Sequence, residues 1–203
     1  MKKKIVVFDF DKTLTYNDTL IGFFTIVNKN DFLFILRLII YLFYMVLTKI
    51  KFISNDTLKS IGVSLFLKGR DIEGIRKKAR EYSKKIHFNN LYKRYDFNNL
   101  NDKIIIISAS FQDYLLPLFP KNVEVIGSKL KIDNGKVVSL KSNCYSEKKV
   151  DALKEIGITE IDVLYTDSLS DLPLANISSS ITVVSGNNCE KCITIDEFKN
   201  CFK

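Results

Sequence analysis

Two carboxylates one residue apart, Asp9 and Asp11, follow an apolar run near the beginning of the chain. The run, residues 5–8, is β-branched and aromatic and too short for a helix, so it predicts a buried strand. In open α/β sheets, ligands bind at the carboxyl ends of the strands. We therefore expect Asp9, Asp11 and the nearby hydroxyl group of Thr13 to lie in a binding site.

Two further apolar runs end at polar groups in the same way. Residues 104–107 lead into Ser108, and residues 163–165 lead towards Asp167 and Asp171. If the three runs are neighbouring parallel strands, their carboxyl ends bring the acidic side chains to one edge of the sheet. Carboxylates that share a crevice repel one another unless a cation neutralises them, and oxygen ligands suit Mg²⁺. The candidate metal ligands are Asp9, Asp11, Asp167 and Asp171.

Together these segments resemble the motifs of the haloacid dehalogenase superfamily of phosphohydrolases, in its phosphoserine-phosphatase-like branch. Residues 8–13 resemble the first motif, residues 108–110 the second, and residues 167–171 the fourth. The third motif of that superfamily is a lysine, and residues 143–150 resemble the segment that carries it. Lys149 is the favoured candidate there, because Val150 and Leu153 follow it, and Lys148 is the alternative.

The resemblance implies a mechanism. Asp9 would attack phosphorus and form an aspartyl phosphate, while Asp11 would act as the general acid and then the general base. Magnesium would be held by Asp9, Asp167 and the main-chain carbonyl group of Asp11. Asp171 would either orient the lysine or complete the outer shell of the metal. The residues implied in binding phosphate are Thr13, Ser108, Ala109 and Lys149.

Composition limits the classes of function. Among the 203 residues, 31 Lys and Arg stand against 23 Asp and Glu, which gives a net charge of +8 and favours anionic substrates or anionic lipid. The chain lacks a nucleic-acid-binding motif, so we expect no nucleic-acid partner. Four scattered cysteines and the lack of a cleavable signal before the first strand predict a cytoplasmic protein, with Cys189 and Cys192 as an inert pair.

The order of elements predicts an α/β fold, with a Rossmann-like core, a parallel sheet and an inserted helical cap. Residues 1–15 and 101–203 would form the core, and residues 16–100 the cap. Asn134-Gly135 between alternating runs predicts a small β-hairpin over residues 129–140. Other predicted elements are helices over 112–118 and 146–156, the latter with Ser146 as N-cap, and strands over 123–126 and 181–184.

One predicted cap helix, residues 32–47, is apolar nearly all round. A single membrane crossing there would separate Asp9 from Asp167, and Arg37 interrupts the run, so we expect no simple transmembrane helix. Two interpretations stay open. The helix is buried or forms a homodimer contact, or residues 32–51 lie on an anionic membrane surface, with 20–27 completing a hairpin and the protein peripheral on the cytoplasmic face.

The predicted activity is Mg²⁺-dependent hydrolysis of a phosphomonoester, with a lipid-linked or amphiphilic phosphate as substrate. One alternative is a phosphatase for a small soluble metabolite such as phosphoserine, a sugar phosphate or a nucleotide. Phosphoryl transfer to another acceptor, as in a phosphomutase, uses the same nucleophile. A noncatalytic, membrane-associated adaptor is a different class, although both aspartates are present.

Overall fold

The fold is α/β, as the sequence predicts. The computed structural model describes residues 3–192 and 194–202. Within these residues, seven strands form one sheet in the order β4-β3-β2-β1-β5-β6-β7. The strands are β1 (Lys4–Phe8), β2 (Asp102–Phe111), β3 (Glu124–Asp133), β4 (Lys136–Ser142), β5 (Val163–Thr166), β6 (Ile181–Ser185) and β7 (Asn188–Cys192).

Helices connect the strands, and most of the longer ones lie between β1 and β2. Those in the predicted cap, residues 16–100, are α1 (Leu20–Val27), α2 (Phe34–Lys49), α3 (Asn55–Phe66), α4 (Ile72–Ser83) and α5 (Asn90–Arg94). The others are α6 (Gln112–Leu115), α7 (Glu147–Glu155), α8 (Leu172–Ala175) and α9 (Ile195–Asn200).

The three apolar runs that precede the candidate site are neighbours in the sheet. β1 pairs in parallel with β2 on one side and with β5 on the other. Phe8 is in register with Ile106 and with Tyr165, so the three strands reach the same edge together. The backbone N–H of Asp9 continues the ladder by donating to the carbonyl oxygen of Tyr165 at 2.9 Å. The predicted convergence of these strand ends is therefore present.

Alternating side chains of the central strands fill two apolar layers, one on each face of the sheet. Phe8 and Ile106 join the layer that packs against the cap, whereas Val7 and Ile105 join the layer under α7 and α9. All four side chains are buried. Strands that are covered on both faces are expected to be continuously apolar, which explains why the sequence shows short apolar runs there.

The cap helices pack as two pairs, α1 with α4 and α2 with α3. The predicted hairpin of residues 20–27 with residues 32–51 is therefore not the main pairing. Instead, Tyr41 of α2 packs edge-on against Phe24 of α1 and against Phe66 of α3. Within the described residues, each helix is too short or too polar to cross a membrane.

Some boundaries differ from the predictions. β3 is one continuous strand, which pairs first in parallel with β2 and then with β4, rather than two separate elements. The hairpin turn at Asn134-Gly135 has positive φ at both residues (47° and 74°), as expected of the sequence. Pro117 converts the end of the helix predicted over 112–118 into a 3₁₀ turn. Ser146 makes no side-chain cap, because its backbone has a φ of 52°.

The C-terminal part differs most. β7 and α9 were not predicted. Sγ of Cys192 lies 3.5 Å from Sγ of Cys201, while Cys189 is exposed. That Cys189 and Cys192 are inert stays a prediction. The first and last residues of the predicted core, residues 1 and 203, lie outside the described residues. The division into core and cap stays a prediction.

Gly127 of β3 lies where the backbone of β3 comes very close to the backbone at the end of β2, beside the candidate site. A Cβ atom there would lie 2.7 Å from the carbonyl oxygen of Ser110 and 2.8 Å from the amide nitrogen of Gln112, both backbone atoms that cannot move independently. We expect Gly127→Ala to lower the free energy of unfolding in urea by about 1–3 kcal/mol.

The matched control for this prediction is Gly74→Ala in α4, where the added Cβ meets only an ordinary contact of 3.4 Å with Asp71. Alanine is the better helix former, so this variant should gain about 0.5–1 kcal/mol. Equal stability of Gly127→Ala and the wild type would contradict the close approach.

Candidate active site

A buried lysine joins two carboxylates at the carboxyl ends of β1 and β5. Nζ of Lys149 donates to Oδ1 of Asp9 at 2.8 Å and to Oδ1 of Asp171 at 2.7 Å. The Lys149 side chain is 3% exposed and that of Asp171 is fully buried. Asp171 is held in turn by Thr166, whose hydroxyl group donates to Oδ2 at 2.8 Å. Both oxygens of Asp171 therefore have partners, which fixes the ammonium group beside Asp9.

The structure distinguishes the two candidate lysines. Lys149 lies on the buried face of α7, with Val150 and Leu153 packed beneath the sheet. Lys148 points the other way, half exposed, and pairs with Asp56 at the beginning of α3. Lys149 is the lysine at the site, and Lys148 forms a surface contact between α7 and the cap.

The negative charge around Asp9 exceeds what one lysine neutralises. Burial raises the pKa of Asp9, as do the charges of Asp171 and Asp167, while Lys149 opposes the rise. Burial and the charge of Asp171 also raise the pKa of Asp167. Three carboxylates around one ammonium group leave an excess of negative charge that a divalent cation would neutralise.

The side chains present fit Mg²⁺ in part. Mg²⁺ is commonly held by one or two carboxylates, several waters and substrate phosphate, and Asp9 and Asp167 offer such carboxylates. In the described ranges, no group of three or more His, Cys, Asp and Glu side chains converges as a metal site. The predicted four-carboxylate cluster is therefore not formed: Asp171 is occupied by Lys149 and Thr166, and the side chain of Asp11 is held elsewhere.

Asp11 faces the cap rather than Lys149. Its Oδ1 accepts from the backbone N–H and the hydroxyl group of Thr19, at 2.8 and 2.6 Å, and its Oδ2 accepts from the hydroxyl group of Ser110. Burial, with a smaller contribution from the charge of Asp18, raises the pKa of Asp11 to about 6. A carboxyl group of this kind exchanges a proton near neutral pH, as a general acid or base must.

The remaining predicted phosphate-binding residues line the ends of β1 and β2. The hydroxyl group of Thr13 is buried and donates to Oδ1 of Asp167 at 3.3 Å. Oγ of Ser108 accepts from the backbone N–H of Ser110 at 3.0 Å, which leaves its own proton available to a ligand. The pairing of β2 with β3 shifts register between Ile107 and Phe111, so the strand is irregular where these residues lie.

Sequence reasoning missed Lys59, the second buried cation of the site. It lies on α3 and its Nζ donates to the carbonyl oxygen of Ala109, 4.8 Å from the centroid of the Phe111 ring. Burial lowers its pKa to about 8, although the charges of Asp11 and Asp18 oppose this shift. Nothing local in the sequence separates this lysine from an exposed helical lysine, because its burial results from docking of the cap on β2.

Sequence reasoning also missed the two threonines that hold the acidic residues. Thr19 precedes α1 and binds Asp11, and Thr166 ends β5 and binds Asp171. Thr166 could have been found, because it lies directly before Asp167 at a predicted strand end. Thr19 could not, since its contact depends on where the first cap helix begins.

A cavity of about 630 Å³ lies between the cap and the strand ends. The cap supplies most of its wall. The charged lining side chains are those of Asp11, Lys12, Asp18, Lys49 and Lys59, and the apolar ones include Leu20, Ile21, Tyr41, Met45 and Leu58. The cavity thus combines charged and apolar side chains, and α2 contributes both kinds.

Comparison with known proteins gives a consistent result. Residues 6–176 match the family model of haloacid dehalogenase-like hydrolases. No curated protein sequence matches the chain. Among solved structures, a phosphoserine phosphohydrolase-like protein from Francisella tularensis is similar, with a TM-score of 0.63 and 17% identity over 88% of this chain and 85% of that one.

Two further similar structures are phosphoserine phosphatases. A substrate-bound complex has a TM-score of 0.62 and 17% identity, covering 89% of this chain and 85% of that one. A phospho-aspartyl intermediate analogue has a TM-score of 0.58 and 18% identity, covering 89% and 86%. The fold of the chain is therefore similar to that of phosphoserine phosphatases, and the family model confirms the resemblance to the haloacid dehalogenase superfamily.

The neighbouring lysines provide a matched test of the buried ion pairs. We expect Lys149→Met to lower the free energy of unfolding by roughly 3–5 kcal/mol, because it leaves buried carboxylates without their cation. Lys148→Met removes an exposed pair and should cost less than about 1 kcal/mol. Urea unfolding at neutral pH measures both. Equal costs, or a larger cost for Lys148→Met, would contradict the assignment of Lys149.

Burial of Lys59 predicts a pH-dependent stability. Its pKa is about 8 in the folded chain and is 10.5 ordinarily, so between these values the unfolded chain binds more protons and stability rises with pH. Relative to Lys59→Met, the wild type should gain roughly 1–3 kcal/mol between pH 7 and pH 10. Urea unfolding of both proteins at the two pH values measures this gain. The exposed Lys68→Met is the control, and a constant difference for Lys59→Met would contradict the burial.

Proposed function

The chain belongs to the haloacid dehalogenase-like hydrolase family, and on that premise we propose that it hydrolyses a phosphomonoester through an aspartyl phosphate on Asp9. The observation that carries this proposal is the position of Asp9, at the end of β1 and in contact with a lysine that Asp171 and Thr166 hold in place. A nucleophilic carboxylate needs such a neighbouring positive charge, because phosphoryl oxygens are themselves negative. One structural neighbour is described as a phospho-aspartyl intermediate analogue, which supports the same intermediate here.

The side chains divide the reaction into two displacements. A carboxylate oxygen of Asp9 forms a bond to phosphorus as the bond to the ester oxygen breaks, and Asp11 gives its proton to that leaving oxygen. Asp11, now ionised, then takes a proton from a water molecule that attacks the aspartyl phosphate. Inorganic phosphate leaves, and Asp9 and Asp11 return to their starting states.

The two aspartates have environments that suit these different roles. Burial raises the pKa of Asp9, and the ammonium group of Lys149 opposes this rise by favouring the ionised form, whereas Asp11 is buried among hydroxyl groups and has a pKa of about 6. Lys149 and the hydroxyl group of Ser108 are placed to hold phosphoryl oxygens. Bound Mg²⁺, with Asp9, Asp167 and the main-chain carbonyl group of Asp11 as its ligands, would supply neutralisation of phosphoryl charge.

The cavity supports an amphiphilic substrate. Its charged side chains, among them Asp11 and Lys59, suit the phosphate ester and polar groups near it, and its apolar side chains suit a hydrocarbon portion. Among the described residues, Lys59 forms no ion pair with a carboxylate. Its ammonium group can therefore bind a second anionic oxygen of the substrate. We therefore place lipid-linked phosphates before small polar metabolites.

Release of inorganic phosphate from a panel of esters tests the function. The panel contains phosphoserine, a sugar phosphate, a nucleoside monophosphate and phosphatidylglycerophosphate, each with and without Mg²⁺. We expect Mg²⁺-dependent release, fastest from the lipid phosphate, and none from Asp9→Asn, which has the same shape but cannot form the acyl phosphate.

Each outcome of this panel has a meaning. Release confined to small polar esters would contradict the amphiphilic substrate and leave the mechanism standing. Phosphate transferred to an added alcohol in place of water would indicate a phosphotransferase. Full activity of Asp9→Asn would contradict the mechanism, and no release from any ester would favour a noncatalytic adaptor.

A further inference from the structure

The second cap helix exposes a continuous apolar surface. Six side chains form it, and we call them the apolar ridge: Phe32, Ile35, Ile39, Phe43, Val46 and Ile50. Their exposed fractions run from 56% to 95%. Residues three or four positions apart lie on one face of a helix, so this spacing places the ridge along one side of α2. Large exposed apolar surfaces of this kind mark interaction sites.

The opposite side of α2 packs against α1 and α3 through Tyr41, the one buried side chain of the helix. Tyr41 is 2% exposed and contacts the rings of Phe24 and Phe66. Close beneath, Gly62 of α3 allows the approach, since a Cβ there would lie 3.0 Å from the Tyr41 ring. α2 is thus held to the cap by one side and presents the other to its surroundings.

The charged side chains within the segment that carries the ridge have one sign. From residue 32 to residue 55 the chain has no Asp or Glu, whereas it has Arg37, Lys49 and Lys51. The preceding Asp31 is paired with Arg37 and Arg70, each at 2.7 Å. The end of α2 therefore carries exposed, positively charged side chains next to exposed apolar ones, and this combination complements an anionic lipid surface.

We propose that the apolar ridge docks on the surface of a membrane that contains anionic lipids. α2 has 16 residues and is about 24 Å long at the usual rise, shorter than the roughly 30 Å hydrocarbon core, so it lies in the interface. A dimer formed through the same surface is the alternative occupant, and the oligomeric state in solution distinguishes it from membrane docking.

Docking in this orientation connects the membrane to the catalytic cavity. Met45, Thr48 and Lys49 line that cavity and belong to the same helix as the ridge. A lipid phosphate could thus enter beside α2 without its hydrocarbon portion crossing water. This link to catalysis rests on the proposed function, whereas docking itself does not.

Sedimentation with vesicles tests the docking. Wild-type protein should sediment with vesicles of equal parts phosphatidylcholine and phosphatidylglycerol, and much less with phosphatidylcholine alone. The double variant Ile39→Asp, Phe43→Asp should bind at least about tenfold more weakly, because it lacks two apolar side chains that docking would bury in the membrane. Leu100→Asp is the control, since Leu100 is also 65% exposed but lies away from α2.

A second pair of variants isolates the charge. Lys51→Gln should weaken binding to the anionic vesicles by roughly fivefold, and Lys121→Gln, an exposed lysine near β3, should not. Wild-type protein that stays in the supernatant with anionic vesicles would overturn the proposal. A wild-type dimer seen by analytical ultracentrifugation, together with a monomeric Ile39→Asp variant, would also overturn the proposal.

Hydrolysis of a water-soluble ester separates the two proposals. Neither Ile39 nor Phe43 lines the cavity, so the double variant should keep wild-type rates with such an ester if it is folded. Docking without hydrolysis of any ester would contradict the proposed function and support the ridge. Hydrolysis without docking would contradict the proposed docking of the ridge and support the proposed function.

Discussion

The structure depends on one electrostatic constraint: the carboxylates of Asp9 and Asp171 are buried together and require a cation between them. Lys149 supplies it, with contacts of 2.8 and 2.7 Å. Burial opposes the charge on this lysine, but Asp171 and Asp9 outweigh that effect and hold its pKa above the ordinary value. Breaking such a buried pair is costly, so α7, the end of β1 and the turn after β5 must keep their relative positions.

The cap makes a second set of polar contacts beside these ion pairs. Thr19 of the cap binds Asp11, and Lys59 binds the carbonyl oxygen of Ala109. Asp56, at the beginning of α3, accepts from the amide of Asn143 at 2.8 Å and pairs with Lys148. These contacts cross from the inserted helices to the loops that carry the catalytic groups. In the proposed mechanism, a cap held in this way would exclude water from the nucleophile and bring its own residues to the substrate.

The sequence predicts the parts of the site that depend on local pattern. Short apolar runs identify β1, β2 and β5, and the residues directly after them, Asp9, Ser108 and Asp167, lie at the same edge of the sheet. The choice of Lys149 also follows from a local pattern, because Val150 and Leu153 lie with it on the buried face of α7. Lys59 depends instead on docking of α3 against β2, which no spacing in the chain expresses. The continuous β3 was missed for a similar reason, since its partner changes from β2 to β4 along its length.

The central claim is that Asp9 carries the phosphoryl group during turnover. The most direct measurement is to quench the protein during hydrolysis of its ester, reduce with borohydride and map the product by peptide mass spectrometry. An acyl phosphate on an aspartate is reduced to homoserine, with release of phosphate. The account predicts homoserine at position 9, and none at that position in Asp9→Asn. Homoserine at another aspartate, or none in a protein that releases phosphate under the same conditions, would contradict it.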